Sequence, residues 1–335
     1  MSRSWIAAAF LSAAACGGSP AKPTPPPAAP QVACPADVSV RGVAGNSQAV
    51  TFSAPTVTGG AAPVTVSCAP ASGTTFSLGT TPVSCAATDA QTRQATCSFN
   101  VTLTGFAIDI KKYDAVGDSF TEGENGHRPQ LVDTPNAYPT RLQARFDETF
   151  PNQGVLVINR GHSGDAVERT VETLRGDLLR DRPGAVLVLT GYNNLLEGGC
   201  RVSDGPNPRC SKAIDAVRLG VRDCIRHSKE VPLNIPYVFV STLTPPGPRA
   251  AGADDRRLTS ESIVQVNLRI QEVVSAEGAI LVDPYPLFLG HEPDYVDTDG
   301  LHLRPAGYQV LADTFFSAIV AKVAQTPLFT LNGSR

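Results

Sequence analysis

A serine hydroxyl becomes a nucleophile only when a base takes its proton, so the residues to find first are a serine and a histidine that can meet. Gly117-Asp118-Ser119-Phe120-Thr121-Glu122-Gly123 closes an apolar run and places a serine at a sharp, glycine-flanked turn. That is how α/β proteins expose a nucleophilic hydroxyl, although a serine after a strand also serves as a helix N-cap. Two further runs end in Asn159-Arg160-Gly161-His162-Ser163-Gly164 and Thr190-Gly191-Tyr192-Asn193-Asn194. Their glycines let backbone N–H groups approach a substrate oxygen and Asn193 offers an amide donor, the parts of an oxyanion hole; as turn residues, Gly and Asn are also common. The candidate bases are His127, His162, His227, His291 and His302. Only the last stands in Asp297-Thr298-Asp299-Gly300-Leu301-His302, where Asp299 can accept the Nδ1 proton while Nε2 faces Ser119. Pooling His302, Asp297, Asp299 and His127 as metal ligands lacks any His-x-x-x-His spacing, so no metal or other cofactor is expected.

These turns need a scaffold that brings them to one edge. Tyr113–Val116, Val155–Ile158, Ala185–Leu189, Tyr237–Ser241 and Ala279–Val282 are short, continuous apolar runs, as strands covered on both faces should be. Between or after them, Ala166–Arg180, Ser211–Ser228, Ser260–Ala276 and Pro305–Val323 carry apolar residues at helical spacing. Strands joined by crossover helices predict a parallel sheet with helices on both faces, and ligands bind beyond the carboxyl ends of its strands. The turns above are those ends.

The rest of the chain has different chemistry. Up to residue 105 the only charged side chains are Arg3, Lys22, Arg41, Arg93, Asp37 and Asp89, whereas the whole chain holds 28 basic and 31 acidic ones. The net charge of −3 supplies no basic field for nucleic acid. Arg3 followed by the apolar run Trp5–Ala15 reads as an export signal, too short for the ~20 residues of a membrane span. Small residues before Cys16 resemble the bacterial lipoprotein lipobox, which implies acylation of Cys16 and a lipid anchor in the envelope; Ala13 stands where the pattern usually has Leu, and ordinary cleavage with secretion is the alternative. A Pro-rich tether follows over residues 17–31.

Residues 32–104 are rich in Val, Thr and Ser, broken by Gly and Pro, with alternating stretches at Gln48–Ser53, Val64–Cys68 and Thr96–Leu103. They predict an all-β sandwich whose small core is stapled by two disulfides. Cys34, Cys68, Cys85 and Cys97 allow three pairings; strand logic favours Cys34 with Cys97 and Cys68 with Cys85. The stretch Phe76-Ser77-Leu78-Gly79-Thr80-Thr81-Pro82-Val83-Ser84-Cys85, with Cys34-Pro35 before it and Ala95-Thr96-Cys97-Ser98-Phe99 after it, resembles the hyalin-repeat (HYR) family. That resemblance implies an immunoglobulin-like spacer without catalysis.

Residues 108–327 resemble the SGNH (GDSL-type) hydrolases through four ordered blocks: Gly117 to Phe120, with Phe for Leu; Asn159 to Gly164; Gly191 to Asn194; and Asp299 to His302. The resemblance implies a flavodoxin-like three-layer α/β/α sandwich. It implies Ser119 as nucleophile, His302 as base and acid, Asp299 as its partner, and an oxyanion hole from Ser119 N–H, Gly161 N–H and the Asn193 side chain. The third block commonly reads Gly-x-Asn-Asp, so Asn194 departs from it at a position that usually supports the loop. Asp118, Arg160, His162 and Asn194 stand close enough in sequence to be substrate contacts. The expected activity is that of an exported serine esterase acting on lipid, short-chain acyl or acetylated carbohydrate esters, the alternative being a surface adhesion protein with an inactive hydrolase domain. Loops Leu195–Ser211 and Leu243–Arg257 should wall the site, the first closed by a Cys200–Cys210 disulfide, leaving Cys224 as a buried free thiol.

Overall fold

The computed structural model of the 335-residue chain describes residues 25–43, 45–126, 135–201, 207–248 and 257–325. The leader with Cys16, most of the tether, His127 and parts of both wall loops lie outside the described residues. The chain forms two compact units. One takes the residues up to Ala36 with Phe52–Ser72 and Pro82–Phe99; the other takes Asp37–Thr51, Gly73–Thr81 and everything from Asn100.

The N-terminal region is all strand: β1 (Gln31–Ala33), β2 (Val38–Val43), β3 (Ser47–Ala49), β4 (Thr56–Thr58), β5 (Thr65–Ala69), β6 (Thr75–Ser77), β7 (Gly79–Thr88) and β8 (Gln94–Gly105). In the first unit, β1 pairs antiparallel with β4 and β5 with β7. The Cys34–Cys97 and Cys68–Cys85 disulfides both form, in the pairing that strand logic favours. Val83, Cys85, Ala87 and Phe99 make a small buried core, with Phe52 edge-on to Phe99 at 5.0 Å. The strand expected over Gln48–Ser53 is shorter, because the Phe52 N–H donates to Ser72 Oγ rather than to a ladder partner. In the second unit, β2 runs parallel to the end of β8, and β3 pairs with β6.

From Ala107 the pattern is α/β. After β9 (Ala107–Ile108) come β10 (Lys112–Gly117), α1 (Ser119–Glu122), α2 (Tyr138–Thr149), β11 (Leu156–Gly161), α3 (Val167–Asp181), β12 (Ala185–Leu189), α4 (Tyr192–Glu197) and α5 (Pro208–Lys229). Then follow β13 (Tyr237–Ser241), α6 (Ser260–Ala276), β14 (Ile280–Val282), α7 (Tyr285–Phe288), α8 (Glu292–Tyr295), α9 (Pro305–Val323) and β15 (Ala324–Gln325). The five expected strands form one parallel sheet in the order β11-β10-β12-β13-β14. Successive side chains of a strand point to opposite faces. On β10, Tyr113 stacks on Phe146 of α2 while Asp114 interacts with Asp181 and Arg160 below α3, so α2 and α3 cover opposite faces. α2 packs on α9, and α3, α5 and α6 pack in series, completing the three layers. Among the described residues no helix is long and apolar enough to cross a membrane.

Within this order β10 lies between β11 and β12, with Gly117 paired to both Gly161 and Leu189. The chain leaves β10 at the point where its successors lie on either side, the place where doubly wound sheets open a crevice. Beneath it, Asp114 is fully buried with its carboxyl against that of Asp181, and burial, reinforced by Asp181, pushes it up to about 7. A carboxyl whose folded pKa is raised binds its proton more tightly in the folded state. Its contribution to stability therefore falls as pH rises from the ordinary value of 3.8 through about 7. Asp114→Asn removes that loss, so thermal unfolding of the variant should exceed wild type clearly at pH 8, with the difference shrinking toward pH 4; a pH-independent difference would refute the assignment.

Candidate active site

The turn after β10 is built for close approach. Gly117 has φ +152°, and a Cβ there would stand 1.8 Å from the Leu189 carbonyl oxygen, so the strand can pass β12 only as glycine. Asp118 then caps α1, accepting from Phe120 N–H at 3.1 Å with one oxygen and from Gly191 and Tyr192 N–H at 3.2 and 3.4 Å with the other. Burial pushes its carboxyl up to about 7 against the opposing pull of those amides and of His302. Ser119 is the first residue of α1, so its N–H precedes the first helical hydrogen bond.

His302 reaches this serine from the loop before α9. Its Nε2 lies 2.9 Å from Ser119 Oγ, and its Nδ1 lies 2.6 Å from Asp299 Oδ2. The other oxygen of Asp299 accepts from the Leu301 and His302 N–H groups, each at 3.0 Å. Burial alone would raise the Asp299 carboxyl, but the hydrogen bond and charge of His302 with these amides hold it below the usual carboxylate range. All three residues are at most 5 % exposed, which strengthens their electrostatic coupling.

The expected oxyanion donors flank the serine on β11 and α4. Gly161 must be glycine, since a Cβ would stand 2.2 Å from Glu122 N; its N–H donates to Asn159 Oδ1 at 2.9 Å. Asn193 Nδ2 donates to the Asp165 carbonyl at 3.0 Å, leaving its second amide hydrogen for another acceptor.

Three of the four residues expected as substrate contacts are structural instead. Asp118 is fully buried on backbone amides. Arg160 precedes Gly161 on its strand and so points to the opposite face, where its guanidinium binds Asp181 at 2.7–2.8 Å. Asn194 is buried, with Oδ1 accepting from Val167 N–H and Nδ2 donating to Glu168 Oε2, both at 2.8 Å. It supplies the start of α3 with the cap that Ala166 lacks. His162 is exposed, and its N–H donates to the Gly117 carbonyl at 2.9 Å. His227 lies on α5, and His291 stacks on Tyr295.

Asn194 also explains the departure in the third block. An aspartate there would keep the bond from Val167 but turn its second oxygen against the Glu168 carboxylate. Asn194→Asp should therefore cost about 1–3 kcal/mol of stability, and Glu168→Gln should recover most of it in a double-mutant unfolding cycle. Strict additivity of the two changes would contradict this coupling.

The Cys200–Cys210 disulfide closes, and Cys224 is a buried free thiol that burial pushes up to about 12. One residue that spacing did not flag is Glu124. It is 6 % exposed, and its Oε2 stands 3.7 Å from His302 Nε2. Its sequence signal was a second acid just past the serine turn.

Residues 115–310 match the GDSL-like Lipase/Acylhydrolase family, and the chain belongs to it. Residues 26–103 match the HYR domain. Among solved structures, the chain is similar to a gut microbial diltiazem-metabolizing enzyme at 17 % identity, over 64 % of this chain and 47 % of that one, with a TM-score of 0.51. It is also similar to a lipase/acylhydrolase from Enterococcus faecalis (19 % identity, 65 % of this chain, all of that one, TM-score 0.48). A third is an acetyl xylan esterase from Geobacillus stearothermophilus (19 % identity, 62 % and 94 % of the two chains, TM-score 0.48). No curated protein matches the sequence.

Proposed function

We propose that this esterase of the GDSL-like family hydrolyses carboxylic esters through an acyl-serine on Ser119. The observation that carries the reading is the continuous chain from Ser119 Oγ through His302 to Asp299, at 2.9 and 2.6 Å. Ser119 Oγ attacks the ester carbonyl as His302 Nε2 takes its proton. The tetrahedral oxyanion draws on the Ser119 N–H, the free hydrogen of the Asn193 amide and the Gly161 N–H, which must turn from Asn159 toward it. The C–O bond to the alcohol breaks as His302 returns the proton to the leaving oxygen. Water then attacks the acyl-serine by the same route, releasing the acid and restoring the serine. Asp299 holds the imidazole in the tautomer that keeps Nε2 able to accept.

The charged leader and apolar run support export, and three disulfides suit an oxidising compartment. Acylation of Cys16 would tether the enzyme to the bacterial envelope, with the β module as spacer. Lipid, short-chain acyl and acetylated carbohydrate esters are the substrate classes, and a panel spanning them ranks the three. A fluorophosphonate should label Ser119, identified by peptide mass spectrometry. Absence of both labelling and turnover would leave an adhesion protein with an inactive hydrolase domain.

A further inference from the structure

Glu124 is a buried carboxylate at the reaction centre that the serine–histidine–aspartate chain does not use. It reaches its place through the end of α1. Gly123 adopts φ +101°, where a Cβ would meet Ala137 Cβ at 2.5 Å, and the turn sends Glu124 back over the helix start. The Glu124 N–H donates to the Ser119 carbonyl at 2.9 Å, and Tyr308 Oη donates to the Glu124 carbonyl at 2.6 Å. The backbone on either side of this residue is thereby fixed to the nucleophile's own helix and to α9. Its Oε2 then stands 3.7 Å from His302 Nε2, the nitrogen that carries the transferred proton, while Asp299 occupies Nδ1 on the other side of the ring.

Resting on the serine-esterase reading, we propose that Glu124 is a second positioning carboxylate for His302, stabilising the imidazolium that forms as Ser119 loses its proton. The imidazole thus works between two buried acids. Asp299 sets its tautomer, whereas Glu124 acts only when Nε2 is protonated, because until then Nε2 is an acceptor and a carboxylate offers it nothing. The interaction is therefore weak in the resting enzyme and strong in the transition state, which is the kind that raises kcat. When the proton passes to the leaving alkoxide, that oxygen replaces Ser119 Oγ as the second acceptor within reach of Nε2. No covalent bond to Glu124 forms at any step.

Among the described residues, other charged groups on the surrounding elements are shared by wild type and variant. Asp118 is within electrostatic reach of His302 but turns its oxygens to the Phe120, Gly191 and Tyr192 amides. Asp297 has Arg304 Nε at 3.9 Å, and Arg257 is positioned against Gly300. Their influence cancels in a comparison of Glu124 with glutamine.

Glu124→Gln keeps the shape and removes the charge. A carboxylate beside an imidazolium favours the protonated ring. In the variant, the acid limb of kcat/KM for p-nitrophenyl acetate should move to lower pH, while the alkaline plateau falls about 10-fold. Because the two changes oppose each other below the limb, the wild-type and variant profiles should approach each other on its acid side and separate on the alkaline plateau. Glu124→Asp should show an intermediate limb, with thermal unfolding of both variants reporting that the fold is retained. A uniform loss at every pH, or an unmoved limb, overturns the role of Glu124 while leaving the esterase reading intact. A wild-type enzyme without turnover or fluorophosphonate labelling overturns that reading itself.

Discussion

Ser119→Ala should lower kcat for a p-nitrophenyl ester by on the order of 10⁴–10⁶-fold with little change in KM. The size follows from what is removed: without Oγ there is no acyl-enzyme, and His302 is left facing a methyl group. Removing His302 in addition should cost almost nothing more, since a base with no proton to take contributes nothing, and residues that act as a unit are non-additive. Asp299→Asn should also be severe, on the order of 10³–10⁴-fold. An amide at that position can donate to Nδ1, which leaves the proton on Nε2, where it can no longer accept from Ser119. Steady-state kinetics of the two single variants and the Ser119→Ala/His302→Ala double variant check the whole set. A Ser119→Ala enzyme retaining more than a few per cent of wild-type turnover would sink the assignment.

The largest stability effect is expected one residue further on. Phe120 is fully buried and stacks on Tyr192 at 3.7 Å between centroids with the rings 5° from parallel, while the His302 ring lies 5.6 Å away. One side chain therefore packs the nucleophile's helix against the asparagine loop and backs the histidine. Phe120→Ala leaves a cavity directly under the site and should cost about 3–5 kcal/mol. For a unit of this size that corresponds to a fall of roughly 6–20 °C in Tm. Phe120→Leu, the residue more usual in this block, should cost much less because most of the volume remains. Differential scanning calorimetry of the two variants tests the point; equal Tm values would mean that the ring is not packed as described.

Strand ends could be located because runs buried on both faces are continuous and apolar, and the turns after them are marked by glycines that no other residue can replace. Gly117 and Gly161 demonstrate this through backbone atoms 1.8 and 2.2 Å from a would-be Cβ. Cysteine pairing was legible for a different reason, since joining the first strand to the last and two central strands to each other satisfies all four cysteines. Helix α2 is only weakly signalled, because Tyr138, Leu142 and Phe146 repeat on only one face of a short segment that opens at a proline.

What the sequence by itself determined is which residues stand at the sheet's carboxyl edge: Ser119, Gly161, Asn193, Asp299 and His302, each fixed by a motif at a strand end or loop. Only the tertiary structure decided where neighbouring side chains point. Arg160 alternates to the far face and binds Asp181, Asp118 turns inward to amides, and Asn194 caps α3, so all three are engaged within the fold. Conversely Glu124, separated from His302 by most of the domain in sequence, comes within 3.7 Å of it. The reason is physical. Motif spacing constrains the backbone locally, but the direction of a side chain depends on strand register and on what packs opposite it, and those are set only when the sheet and its helices close together.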